Sequence, residues 1–235
     1  MENYSKYNDS LAVKMNVSVS KFMLNVYNWM AIGLGLTGLI AYVVSISPDL
    51  LQIFVYNRVV FFVLMLAQLG IVIGMSSLIN RIPSFVAMML FFLYAAMNGL
   101  TFAVLFVIYT KASIFYTFFI CAGMFATFSV AGTLLKLDLT KFRSFFLMGL
   151  IGIIIASVVN IFLSSPALYW IISIAGVVLF TGLTAYDTQK IRKYAQTVDV
   201  DSEDGKKGSI FGALNLYLDF INLFLFLLRI LGSRR

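Results

Sequence analysis

The chain has 235 residues, 61% hydrophobic and only 11% charged, with a mean hydropathy of +0.97 and a net charge of +7. A soluble globular domain carries about 25% charged residues, so that class is excluded. The basic residues lie between apolar runs, where they meet headgroups and set topology, and this excludes nucleic-acid binding. There is no histidine, hence no histidine catalysis, metal ligation or pH sensing. The lone Cys121 allows neither an intrachain disulfide nor a cysteine zinc cluster.

Residues 1–21 are polar and read as a cytoplasmic tail carrying Lys6, Lys14 and Lys21. Residues 22–235 read as one all-α polytopic membrane domain, because apolar stretches longer than about 18 residues each mark a membrane helix. The first run is too long for a cleaved signal sequence and reads as a retained anchor. Seven spans are expected at 22–46, 52–79, 85–109, 113–135, 144–164, 167–187 and 210–231. Ser47-Pro48-Asp49 ends the first span, and Asn80-Arg81-Ile82-Pro83-Ser84 separates the second from the third. Tyr109-Thr110-Lys111 makes a short third turn, Lys136 to Arg143 a charged fourth loop, and Ser164-Ser165-Pro166 a tight fifth. The sixth loop, 188–209, is long and polar, with Asp199, Asp201, Glu203 and Asp204 beside its lysines.

With the amino terminus inside, twelve of the 17 Lys and Arg lie on the inner face and five on the outer. The positive-inside rule then places the amino terminus in the cytoplasm and the carboxyl terminus outside. Tyr27 and Trp29 near the inner end of the first span, and Tyr169 and Trp170 near the outer end of the sixth, suit headgroup depth.

One motif misleads. Gly33-Leu34-Gly35-Leu36-Thr37-Gly38 matches the dinucleotide fingerprint, but that motif needs a strand before it and a helix start beneath the phosphates. Here it lies mid-span, where glycines are expected to allow close helix packing. No P-loop, HExxH motif or GxSxG elbow is present, and no enzymatic activity or resident cofactor is expected.

Two carboxylates carry the functional reading. Asp187 closes the sixth run and Asp219 lies inside the seventh. A carboxylate at the centre of a membrane helix costs roughly 2.5–3.5 kcal/mol on insertion scales, so a partner, a proton or an ion is expected. Consecutive helices run antiparallel. With the inner boundary near Lys193 and Ile210, the two carboxylates differ in depth by only about 5 Å and meet near the cytoplasmic side. Two carboxylates in contact share a proton, which gives titration near neutral pH without histidine. Ionised, they offer hard oxygen ligands suited to Ca²⁺. Arg81, at the inner end of the second span, is the expected basic partner and latch. Asn98, Asn160, Asn215 and Asn222 are secondary candidates to line a path or tie helices together.

The stretch Leu216-Tyr217-Leu218-Asp219-Phe220-Ile221-Asn222-Leu223-Phe224, followed by Leu227 to Gly232, resembles the signature of the Bax inhibitor-1/YccA family, the transmembrane BAX inhibitor motif proteins. Tyr186-Asp187-Thr188-Gln189 resembles that family's sixth-helix motif, Val26-Tyr27 to Met30 with Thr37-Gly38 and Ala41-Tyr42 its first helix, and Asn98-Gly99-Leu100-Thr101 its third. The short soluble tails look bacterial in style.

The resemblance implies a central seventh helix wrapped by the other six. It further implies a pH-sensitive calcium leak, with Asp187 and Asp219 as the proton-sharing dyad and Arg81 in contact with it. Where some members carry an acidic residue within helix two, this chain has Gln68. The expected function is thus a pH-sensitive Ca²⁺-permeable leak channel of a bacterial inner membrane, with lipid, Ca²⁺ and H⁺ as its partners. The alternative is a regulatory membrane protein that modulates a membrane protease or stress response without ion transport. An intramembrane aspartyl protease is disfavoured, since the Gly-x-Gly-Asp half of its pattern is absent.

Overall fold

The computed structural model describes residues 2–79, 81–134 and 137–235, and side chains from Met15 onward. Lys136 of the expected fourth loop, Asn80 of the second, and the side chains of Lys6 and Lys14 lie outside what is described. The elements are α1 (Glu2–Ile46), α2 (Pro48–Leu51), a π-helical turn (Gln52–Tyr56), α3 (Arg58–Leu78), α4 (Ser84–Ile108), α5 (Lys111–Leu134), a 3₁₀ turn (Leu139–Phe142), α6 (Arg143–Leu163), α7 (Pro166–Ala195) and α8 (Glu203–Leu231). Among the described residues, seven of these are long and apolar enough to cross a membrane: α1 from Met15, and α3 to α8. The fold is an all-α, seven-span membrane protein.

The last span is the interior one. Of its most apolar 18-residue window 72% is buried, against 0 to 39% in the other six. Tyr217, Leu216 and Leu223 are fully covered.

Three boundaries differ from the sequence expectation. The 188–209 loop contracts to residues 196–202, because α7 continues to Ala195 and α8 starts at Glu203. Hydropathy marks where the bilayer ends, not where hydrogen bonding ends. Gln189 to Lys193 are good helix formers, and Glu203 and Asp204 in the first turn of α8 suit its positive end. The second span starts at Arg58 rather than 52, because Asn57 Oδ1 accepts from the Val59 and Val60 amides at 3.1 and 3.3 Å and caps a new helix. Of the tail expected at 1–21, residues 2–21 are helical and continuous with the first span.

The chain forms two compact units, residues 1–101 with 191–214, and residues 102–190 with 215–235. In the first unit, α1 packs on the middle of α4. Thr37 Oγ1 donates to the Ala95 carbonyl at 2.8 Å, and a methyl group at Gly99 would lie 2.7 Å from Ile40 Cβ. Gly212 of α8 sits between Val26 and Ile191. Glu203 caps α4 from outside, accepting from the Ser84 amide and, at 2.9 Å, from its hydroxyl. Of the Gly33–Gly38 motif, Gly33 is buried while Gly35 and Gly38 face open space, and a further close approach to α1 falls at Gly99 of α4.

In the second unit, α5 buries Thr117, Cys121, Phe125, Ser129 and Gly132, a stripe at helical spacing. Gly132 rests on the Ala185 carbonyl of α7, and Gly176 of α7 on the Phe226 ring of α8. The α6 helix buries no residue and touches α7 through Phe146 and Tyr186, 5.2 Å between ring centroids. Beyond α8 the chain pairs with the α4–α5 connection. The Thr110 amide donates to the Ser233 carbonyl at 3.1 Å, and the Arg235 amide to the Ile108 carbonyl at 3.0 Å.

Candidate functional site

The site is built where α7 and α8 come side by side in the second unit. The Asp187 and Asp219 carboxyl groups lie within hydrogen-bonding reach of each other. Asp219 is 4% exposed, and its Oδ2 has no hydrogen-bond partner. An unsatisfied buried polar atom costs about 1–3 kcal/mol, so a carboxyl group held in this position is more than packing. Asp187 is less enclosed, with 15% of its side chain exposed.

Neighbouring residues hold the two aspartates in place. Thr188 shares a 3.0 Å hydroxyl hydrogen bond with Ser129 of α5. Cys121 Sγ, also on α5, lies 3.6 Å from the Phe220 carbonyl. One helix therefore contacts the residue after each aspartate. Gln189 anchors the loop beyond α5: its Oε1 accepts from the Leu139 amide at 2.7 Å, and its Nε2 donates to the Leu137 carbonyl at 2.9 Å.

The cation beside the pair is Lys190, with Nζ 3.9 Å from Asp187 Oδ1. Sequence reasoning did not name Lys190, although its i,i+3 spacing from Asp187 was a usable signal. Arg81 is exposed in the turn after α3, in the first unit, and makes no ion pair among the described residues.

The asparagines divide. Asn215 and Asn222 stand four residues before and three after Asp219, on its face of α8. Asn222 Nδ2 donates to the Leu218 carbonyl at 2.8 Å. Asn98 is buried and donates to Tyr94 within its own helix. Asn160 shapes the turn after α6, its Oδ1 accepting from the Ser165 amide at 3.0 Å. Gln68, in the second span, donates to Thr101 Oγ1 at 3.3 Å.

Comparison with known proteins decides the family. The profile described as "Inhibitor of apoptosis-promoting Bax1" matches residues 19–235. The chain belongs to this Bax inhibitor-1 family. It is 46% identical to the "Inner membrane protein YbhL" of Escherichia coli K12 over 224 residues, 95% of this chain and 96% of that one. It is similarly 46% identical to an uncharacterized protein of Borreliella burgdorferi over 92% of this chain and 93% of that one. An uncharacterized protein of Rickettsia prowazekii is 45% identical over 92% and 90%. The family profile spans both aspartates, so they belong to the shared region and not to an appended segment.

Proposed function

We propose that the protein is a pH-sensitive, Ca²⁺-permeable leak channel of a bacterial inner membrane, gated by Asp187 and Asp219 sharing a proton. One observation carries the reading: two carboxyl groups meet among apolar helices, and the buried one keeps an oxygen unsatisfied. Two carboxylates there do not readily ionise together, and a single proton between them removes half the charge. Its loss adds repulsion between α7 and α8 and frees hard oxygen ligands.

Ca²⁺ takes about 6–8 oxygens. The pair offers two carboxylates, and among the described residues no third acidic or cysteine side chain joins them. Water and the amide oxygens of Asn215 and Asn222 complete the shell in this reading. Such a site passes an ion and does not store it. Ca²⁺ is the cargo, and we assign no resident cofactor and no enzymatic step.

The sidedness proposed is amino terminus in the cytoplasm and carboxyl terminus outside. The excess of basic residues on one face supports it. So does the pairing of the carboxyl end with residues 108–113, which lie on the outer side under the same assignment. The relative's name, "Inner membrane protein YbhL", supports the membrane.

The test is Ca²⁺ flux into dye-loaded liposomes between about pH 6 and 8, where a shared proton can titrate. Wild type is compared with Asp187→Asn and Asp219→Asn. Flux that varies with pH, and loses that variation in both variants, is expected. No protein-dependent flux at any pH would sink the channel and leave a regulatory role.

A further inference from the structure

A second polar site lies at the opposite end of the same unit. A cleft of about 500 Å³ opens between the α6–α7 turn and the end of α8, lined by Ser164, Ser165, Tyr169, Trp170, Arg229 and Arg234. Tyr169 and Asp187 are eighteen residues apart on α7, which at 1.5 Å per residue separates the cleft from the aspartates by about 27 Å.

Its charge is one-sided. Among the described residues neither arginine has a carboxylate at ion-pair distance, and the lining contains no acid. An aromatic wall orients the guanidinium groups instead. Arg229 lies 5.2 Å from the Phe226 ring and 5.9 Å from that of Tyr169. Arg234 lies 5.7 Å from the Tyr169 ring and donates from Nη2 to its hydroxyl at 3.1 Å. The hydrogen bonds tying residues 233–235 to residues 108–113 fix the segment that carries Arg234. Two arginines that pack on the same tyrosine ring and line one cleft, with N–H donors beyond those Arg234 gives to tyrosine hydroxyls, offer the forked donors that suit a phosphate.

The cleft also sits at the right depth. Three span ends meet there: the α4–α5 connection, the α6–α7 turn and the end of α8. Trp170 is exposed beside it, as expected for a ring at headgroup level. We propose that this cleft binds a phosphate group, carried by an anionic lipid headgroup or free in solution, with Arg229 and Arg234 as its charged ligands.

The test uses the full chain in detergent, in a Trp29→Phe background so that Trp170 is the only tryptophan. Trp170 emission is followed during titration with dihexanoyl phosphatidylglycerol, inorganic phosphate, or dihexanoylglycerol, which has the same chains without the phosphate. Saturable binding of the phosphatidylglycerol is expected. Arg229→Gln with Arg234→Gln should weaken it about tenfold or more, as charged hydrogen bonds are lost. Inorganic phosphate binding as tightly as the lipid identifies a free anion as ligand; lipid binding alone identifies a headgroup; both support the site. Dihexanoylglycerol binding as tightly as phosphatidylglycerol, no response of Trp170 to either phosphate compound, or unchanged affinity in the double variant overturns it. Should the double variant fail to fold, Arg234→Gln alone decides, since Arg234 is exposed in the terminal segment: wild-type affinity there overturns the proposal.

Discussion

Gly132→Ala tests the packing that places Asp187. A Cβ at position 132 would stand 2.9 Å from both the carbonyl carbon and the Cα of Ala185, with the carbonyl oxygen nearer still. All three atoms are backbone of α7, so no side chain can swing aside, and α5 and α7 must separate two residues from Asp187. Overpacking of this kind costs about 1–3 kcal/mol. At about 2–4 °C per kcal/mol for a chain of this size, the melting midpoint falls by roughly 2–12 °C. Gly123 on the same helix supplies the control. Nothing lies within 4 Å of a methyl group there, and relief of glycine's low helix propensity, about 0.8–1 kcal/mol, raises the midpoint by roughly 2–4 °C. The assay is built in: Cys121 is the only cysteine and is fully buried, so a thiol-reactive dye reports unfolding on heating. A Gly132→Ala protein melting at or above wild type, or a Gly123→Ala protein falling as far, would refute the geometry.

Three further outcomes follow from particular contacts. Gln189→Leu removes the partners of the Leu139 amide and the Leu137 carbonyl; faster amide exchange is expected across residues 137–140, at a cost of about 1–3 kcal/mol. Ser164 is the one non-glycine residue with positive φ among those described, at φ 49°. Ser164→Gly should therefore stabilise the turn by up to about 1 kcal/mol and Ser164→Val destabilise it, read by the same thiol assay. Lys21 lies 2.8 Å from Asp201 and holds that carboxyl below its usual range. The contact contributes above the unfolded value near about 3.9 and is lost as pH falls through the lower folded value. Lys21→Gln, or high salt, should move the Asp201 titration seen by NMR back up.

The seven spans and their breaks at Pro48, Pro83 and Pro166 were legible because length, apolarity and helix-breaking residues act locally. The meeting of Asp187 and Asp219 was legible too, because antiparallel neighbours with similar depths leave little freedom. The sixth loop was overread, since polar helix that leaves the bilayer looks like loop to a hydropathy argument. Asn57 as a cap was available to sequence reasoning and overlooked. The glycines were not legible: whether a glycine meets a backbone, as Gly132 and Gly99 do, or open space, as Gly35 and Gly38 do, depends on the facing helix. Gln189 hid for the same reason, since its partners lie 50 and 52 residues away along the chain.

Lys190 sharpens the gating argument. In the proposed gate, with the pair holding one proton, the cluster of Asp187, Asp219 and Lys190 would be neutral; on losing it the cluster would become net negative and attractive to a cation. Lys190 is 54% exposed, so its attraction for Asp187 at 3.9 Å is screened almost as in water and is weak, about 1 kcal/mol. Lys190→Gln should therefore move the midpoint of the flux–pH profile slightly to higher pH and leave the maximal rate near that of wild type. Asp219→Asn, by contrast, should abolish the dependence. If Lys190→Gln left the profile in place while both aspartate variants flattened it, the pair would titrate independently of its neighbouring cation. If Lys190→Gln flattened the profile as well, the lysine would be part of the gate and the two-carboxylate account would fail.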